Sequence, residues 1–274
     1  TDCLSAGRAI VLPSGAMSGA KSVVAVTGPY ARAREQFGMP IAEFEGILEP
    51  LGRMAGKSYI ISSSLSTTAM AIGAGEKPSV ISAILKYHST ELARKIGRDA
   101  MDIHGGKAVM LGPKNYMSGG YESTPVGITV EGANIMTRSL IIFGQGAFRC
   151  HPYVLKEIEA VNIEDKNESL EQFDLYLFGH IGHSISCAVR ALVRGITSRF
   201  TTSPIEDETS IYYKQINRLS AGFAFLTDIS MLVMGGELKR KETISARLGD
   251  VLSSLYLAST TLKHYEDTGE RDVD

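Results

Sequence analysis

Apolar positions recur at helical intervals along almost the whole chain. Residues 4–35 are rich in Ala, Val, Gly and Ser and end in ARAREQFG, which predicts a closely packing helix stopped by Gly38 and Pro40. From Ile41 to about Ile72, Leu48, Leu51, Met54, Ala55, Tyr59 and Ile61 roughly follow one helical stripe before GAGEKP breaks it. Pro78 then opens a third helix, in which Ile81, Ile84, Leu85, His88, Leu92, Ile96 and Ile103 return at three- and four-residue steps. Between Gly105 and Glu131 the period vanishes into Gly, Pro, Ser and Asn. A long irregular loop is predicted there, of a kind that usually serves function.

After Glu131 the helical period resumes in ANIMTRSLIIFGQGAF and a short HPYVLKEIEAV piece, followed by a charged stretch, NIEDKNESLEQ, that reads as a linker. Beyond it three more helices are predicted. Their faces are Leu175, Phe178, Ile185, Leu192, Ile196 and Phe200; Tyr212, Ile216, Leu219, Phe223, Leu226 and Val233; and Ile244, Leu248, Val251, Leu255, Ala258, Leu262 and Tyr265. The last alternates steps of four and three, the spacing of a bundle seam, so Leu248, Val251, Leu255 and Leu262 are expected to be buried. The pattern predicts an all-α chain, a helical bundle over residues 1–160 and a second helical module over residues 168–274.

Composition narrows the partners. With 28 basic against 30 acidic residues and no dense Lys/Arg run, nucleic acid is not an expected ligand. Cys3, Cys150 and Cys187 are odd in number and far apart, which suits free thiols in a reducing compartment. The chain opens with neither Met nor a basic and apolar leader, so it reads as starting within a longer protein without a secretory signal. Charges within the apolar stretches argue against a membrane span, and a cytoplasmic location is expected, any membrane association falling to parts of the whole protein outside this stretch.

Several chemistries are disfavoured. GAGEKP and FGQGAF lack the third Gly and the preceding strand of a dinucleotide fold, and HGGK has Met101 where a phosphate loop needs its first Gly. GHSIS lacks the second Gly of a nucleophile elbow. His180 and His183 share a helix face but have no accompanying HExxH or ExxH pattern, so they are read as packing or solvent-facing and no metal is expected.

Three segments remain: ARAREQFG at 31–38, AMDIHGG at 100–106 and VEGANIMTRSLII at 130–142. In this order and separation they resemble the acyl-CoA dehydrogenase family, through an Arg-x-x-Phe-Gly helix end, an Ile-x-Gly-Gly turn and a Glu-Gly step before a helix. The resemblance covers roughly the first 150 residues and implies the family's C-terminal helical domain, without its N-terminal helical domain and middle β-domain. The remainder, with LFGHIGHSISCAVRALVRGITSR and LSAGFAFLTDISMLVMGGELKRKETISARLGD, is similar to the extra C-terminal region of the bacterial FadE-type fatty acyl-CoA dehydrogenases.

The resemblance implies a reaction in which a carboxylate removes a proton from the α-carbon of an acyl-CoA and FAD takes a hydride from the β-carbon, giving a trans-2-enoyl-CoA. Glu131 matches the base, which needs a water-poor site, with Glu122 as its competitor in the same loop. Gly132 matches a close approach to substrate, and the helix after it offers N–H groups to a developing enolate oxygen. Arg34 and Phe37 match contacts to an FAD held largely by a neighbouring subunit, and Gly105 and Gly106 the turn beside its adenine part. Fatty acyl-CoA as substrate, an electron-transfer flavoprotein as acceptor and a homo-oligomer follow as expectations. Asp102 stands in place of the usual Gln, Ala133 of a hydroxyl residue and Val130 of an aromatic one. Two other readings stay open: an acyl-CoA oxidase, and a non-catalytic helical interaction module.

Overall fold

The computed structural model describes residues 2–197 and 203–268, and these form helices apart from one two-residue hairpin. They fall into two compact units, one of residues 2–137 with 263–268 and one of residues 138–197 with 203–262. Phe200, expected on an apolar helix face, lies outside the described residues, as does the side chain of Cys3. Cys150 and Cys187 are free thiols.

In the first unit α1 (Asp2–Ala33), α2 (Glu45–Gly73) and α3 (Ser79–His104) pack against one another. Helix α1 buries Ala9, Ala20, Thr27 and Ala31 along one line, and these small side chains let neighbouring helices come close. The core joins Ala20, Ala31, Met54, Ile61, Ile96, Ala100 and Ile103. Burial of each large aliphatic among them contributes about 1.5–3 kcal/mol. Asp99, also buried on α3, accepts hydrogen bonds from Arg53 and Lys57 of α2 and ties the two helices together. Between α1 and α2, β1 (Glu35–Gln36) pairs antiparallel with β2 (Met39–Pro40). The turn residues Phe37 and Gly38 both have positive φ, 55° and 80°, as a two-residue hairpin loop matching the strand twist requires.

The irregular loop expected from Gly105 to Glu131 is largely helical, with α4 (Gly106–Val109) and α5 (Ser118–Thr129). Gly119, Gly120 and Pro125 hide α5 from a propensity reading, but packing and a cap sustain it. Asn115 Oδ1 accepts from the N–H groups of Met117 and Ser118, and α5 lies on α3 so closely that a Cβ on Gly127 would sit 3.3 Å from Thr90 Cγ2. The helix after Glu131 starts at Asn134 as α6 (Asn134–Met136), continues as a π-helical stretch, Thr137–Gln145, and ends as α7 (Gly146–Cys150).

The second unit adds α8 (Val154–Val161), α9 (Lys166–Ile196), α10 (Ser210–Met234) and most of α11 (Glu242–Thr268). Most of the supposed linker NIEDKNESLEQ is the start of α9, because Asp165 Oδ1 caps it by accepting from the N–H groups of Asn167 and Glu168. The seam expected on α11 is displaced. Leu248 is buried, but Val251 is 40% exposed and Leu255 and Leu262 only half-buried, while Ala246, Gly249, Ser253 and Thr260 are buried. Small residues win because α11 approaches the π-helical stretch at backbone distance: a Cβ on Gly249 would lie 3.3 Å from Arg138 O. A bidentate pair, Arg138 Nε and Nη2 to Asp250 at 2.8 and 2.5 Å, fixes the register.

The argument against membrane-length helices is also corrected. By length and composition alone Gly7–Ala33 and Ser210–Lys239 could cross a bilayer, and Ser118–Thr129 with Asn134–Cys150 could do so as one span bent by 49°. Lys21 is the only charge between Ala9 and Ala31, fewer than the general count of charges suggested. Helix α1 nonetheless packs as a bundle helix on α2 and α3.

Candidate functional site

Helix α3 ends at a glycine whose φ of 57° reverses the chain, and the preceding His104 is held from both sides. Its Nδ1 donates to Ala100 O at 2.8 Å, which leaves Nε2 to accept from the Tyr116 hydroxyl at 2.9 Å. Burial, with the Lys107 charge assisting, pushes the His104 pKa down, so the ring is neutral. It stacks on Tyr30 at 4.2 Å, and Lys107 Nζ lies over the rings of Tyr30 and Tyr116.

This rigid corner is one wall of an open cleft of about 910 Å³. All four residues expected to bind the cofactor, Arg34, Phe37, Gly105 and Gly106, line it. Phe37 is 95% exposed on its hairpin tip, with its ring edge-on to Phe44, so the fold presents an aromatic ring outward instead of burying it. A Cβ at Gly105 or Gly106 would meet nothing within 4 Å, so these glycines leave their face of the cleft open to a ligand. Arg34, Lys107 and Lys114 make the cleft cationic, which suits a pyrophosphate beside an apolar ring. The sequence reading missed Tyr30, His104, Lys107 and Lys114. Asp102 is exposed and does not line the cleft.

Glu131 and Gly132 lie elsewhere. They form a turn between α5 and α6 with φ of 53° and 100°, and the left-handed glutamate costs about 1–2 kcal/mol. Beneath the turn sits Lys86, fully buried on α3. Its Nζ donates to Gly132 O at 2.5 Å and to Asn134 Oδ1 at 2.6 Å, and Asn134 Nδ2 donates to Thr90 Oγ1 and Glu91 Oε1. Burial pushes the Lys86 pKa down, and the charges of Glu131 and Glu91 oppose this while Arg8 adds to it. Arg8 Nη2 donates to Ser82 Oγ. The Glu131 side chain is exposed, so these residues do not supply the water-poor surroundings expected of the base; Glu122, its competitor, is exposed on α5.

The three motifs therefore do not make one site. Lys86 and His104 are 18 residues apart on α3, which puts the Glu131 turn and the cleft roughly 27 Å apart along its axis. Between α1, α3 and α5 lies a further cavity of about 330 Å³, mostly apolar, whose wall includes Thr124 and Gly127 just ahead of Glu131.

In the second unit His151, His180 and Asp228 come from three elements to within 4.8 Å of one another, close enough to hold a metal ion. Their hydrogen bonds distribute the protons differently. The N–H groups of Tyr153 and Val154 point at His151 Nδ1, so Nε2 carries the proton and donates to Asp228 Oδ1 at 2.9 Å, while Ser184 donates to Oδ2. Burial pushes the His151 pKa down despite the bond to Asp228. His180, read from sequence as packing or solvent-facing, donates from Nδ1 to Glu157. The cluster is a polar network in which a metal at His151 Nε2 would have to displace a hydrogen-bonded proton.

Comparison with known proteins follows the division between the two units closely. Residues 1–144 match the family model "Acyl-CoA dehydrogenase, C-terminal domain", and residues 148–274 match "Acyl-CoA dehydrogenase, C-terminal, bacterial type". A curated relative, a 3-(aryl)acrylate reductase of Clostridium sporogenes, is 35% identical over 103 residues, 38% of this chain and 27% of that protein. An acyl-CoA dehydrogenase of Bacillus anthracis, solved as a complex with FAD, shares the fold with a TM-score of 0.75 at 18% identity, over 99% of this chain and 44% of that one. An acyl-CoA dehydrogenase of Geobacillus kaustophilus matches over 52% of this chain and 36% of its own, at 25% identity and a TM-score of 0.49. The chain spans less than half the length of each of these proteins.

Proposed function

Because the chain belongs to the acyl-CoA dehydrogenase family, whose C-terminal domain model covers more than half of it, we propose that it is the C-terminal part of an FAD-dependent enzyme oxidising fatty acyl-CoA to trans-2-enoyl-CoA, with Glu131 as base. The observation that carries this reading is the Glu131–Gly132 turn. A carboxylate is held there in a left-handed backbone conformation that only surrounding contacts sustain, and such stored strain clusters where a group must be aimed. Glu131 takes the proton from the α-carbon as the C–H bond breaks. Gly132, without a side chain, lets the thioester approach the backbone. FAD, when bound, supplies the acceptor for the β-hydride. The apolar 330 Å³ cavity offers room for part of an acyl chain.

The cleft at Arg34, Phe37, Gly105 and Gly106 fits a flavin nucleotide through its cations, open glycines and outward ring. Hydride transfer requires contact with the substrate at Glu131, whereas the cleft lies roughly 27 Å away along α3. This separation favours two FAD molecules, one at the base and one at the cleft shared with a second subunit, and hence a homo-oligomer. An electron-transfer flavoprotein as acceptor and a role in fatty acid β-oxidation complete the reading.

The test is Glu131→Gln in the full-length protein. FAD should stay bound while flavin reduction by palmitoyl-CoA slows by about 10²–10⁴-fold, because an amide cannot accept the proton. A near-normal rate would move the role elsewhere, first to Glu122.

A further inference from the structure

A lysine with no exposed surface is unusual, since an ammonium leaves water only where other groups replace its hydration. Lys86 finds that replacement in one place. Two of its N–H groups go to Gly132 O and Asn134 Oδ1, the residues following Glu131, at 2.5 and 2.6 Å. Asn134 is buried too and spends its own amide on Thr90 and Glu91, one turn further along α3, so the start of α6 is pinned to α3 at two levels. Thr137 Oγ1 approaches the same Gly132 carbonyl at 3.4 Å. The charged groups facing Lys86 are Glu131, Glu91 and Arg8. A bundle needing only helix packing would fill this position with an aliphatic side chain at lower desolvation cost.

Resting on the reading of Glu131 as base, we propose that Lys86 is its positioning residue: the buried ammonium clamps the Gly132 carbonyl and Asn134, holds the turn left-handed, and presents the carboxylate at a fixed place. Lys86 does not touch the acyl group. It acts through the backbone carbonyl of Gly132. Removing it frees the turn to relax toward ordinary backbone angles, and displacement of a reacting group by about an ångström costs about 10²-fold in rate.

The experiment uses full-length FAD-loaded protein, with palmitoyl-CoA as probe, and follows flavin reduction by stopped flow across a palmitoyl-CoA concentration series for wild type, Lys86→Met, Asn134→Ala and Glu131→Gln. For Lys86→Met the expectation is retained FAD and a saturating rate lowered about ten- to a hundredfold with little change in the palmitoyl-CoA concentration at half-saturation. If Lys86→Met does not fold, Asn134→Ala, which removes one of the two acceptors, should show a smaller rate loss. A normal rate in the variant that folds, or a loss explained wholly by lost FAD or weaker acyl-CoA binding, overturns the proposal while leaving the base in place. A near-normal Glu131→Gln rate removes the base reading itself, and the clamp with it.

Discussion

His151 shows how a single residue couples charge to folding. Burial lowers its pKa in the folded chain, so the folded state holds fewer protons at this site than the unfolded state does. Its contribution to stability is fully present above the ordinary histidine value and is lost as pH falls from there through the lowered folded value. Melting of the full-length protein should therefore weaken as pH falls below about 6.5, and His151→Gln, which can still donate to Asp228, should flatten part of that slope. Parallel curves for the two proteins would place the titration on another group. At this scale Glu131, Gly132, Arg34, Phe37, Gly105 and Gly106 were legible in sequence as motif members. Lys86 was not, because a lysine within an amphipathic pattern reads as solvated until its partners 46 and 48 residues away are in place.

Among the elements, α11 separates periodicity from packing. Its 4-3-4-3 apolar stripe identified a helix over Ile244–Tyr265, and the helix is there. The face it buries is rotated toward Ala246, Gly249 and Ser253, because close approach to the π-helical stretch favours small side chains. Leu248, buried with Phe143, Ala147 and Leu238, should then cost about 2–5 kcal/mol as Leu248→Ala, and half-buried Leu255 roughly half of that or less. Urea unfolding of the two variants decides, and a larger loss for Leu255→Ala would restore the apolar seam. Helix α5 is the opposite case: its glycines and Pro125 concealed it, and contacts with α3 formed it.

For the whole molecule, the exposure of Glu131 and Phe37 is the informative feature. The carboxylate proposed as base and the aromatic ring at the cleft both face outward, and the chain spans less than half of the proteins it matches. Prepared alone, these 274 residues should fold as helices yet keep no FAD through gel filtration and turn over no palmitoyl-CoA, while on the proposed function the full-length protein should do both. Stoichiometric flavin on the isolated stretch would show the cleft sufficient by itself. The sequence determined where helices run and which residue types bear the chemistry, since helical order depends on spacing of three or four residues and motifs are local. Only the tertiary structure decided that the cleft lined by Arg34 and Phe37 and the Glu131 turn lie toward opposite ends of α3, that Lys86 is buried beneath that turn, and that His151, His180 and Asp228 meet. Such relations join residues tens of positions apart, and they arise from how helix faces pack, which no local periodicity encodes.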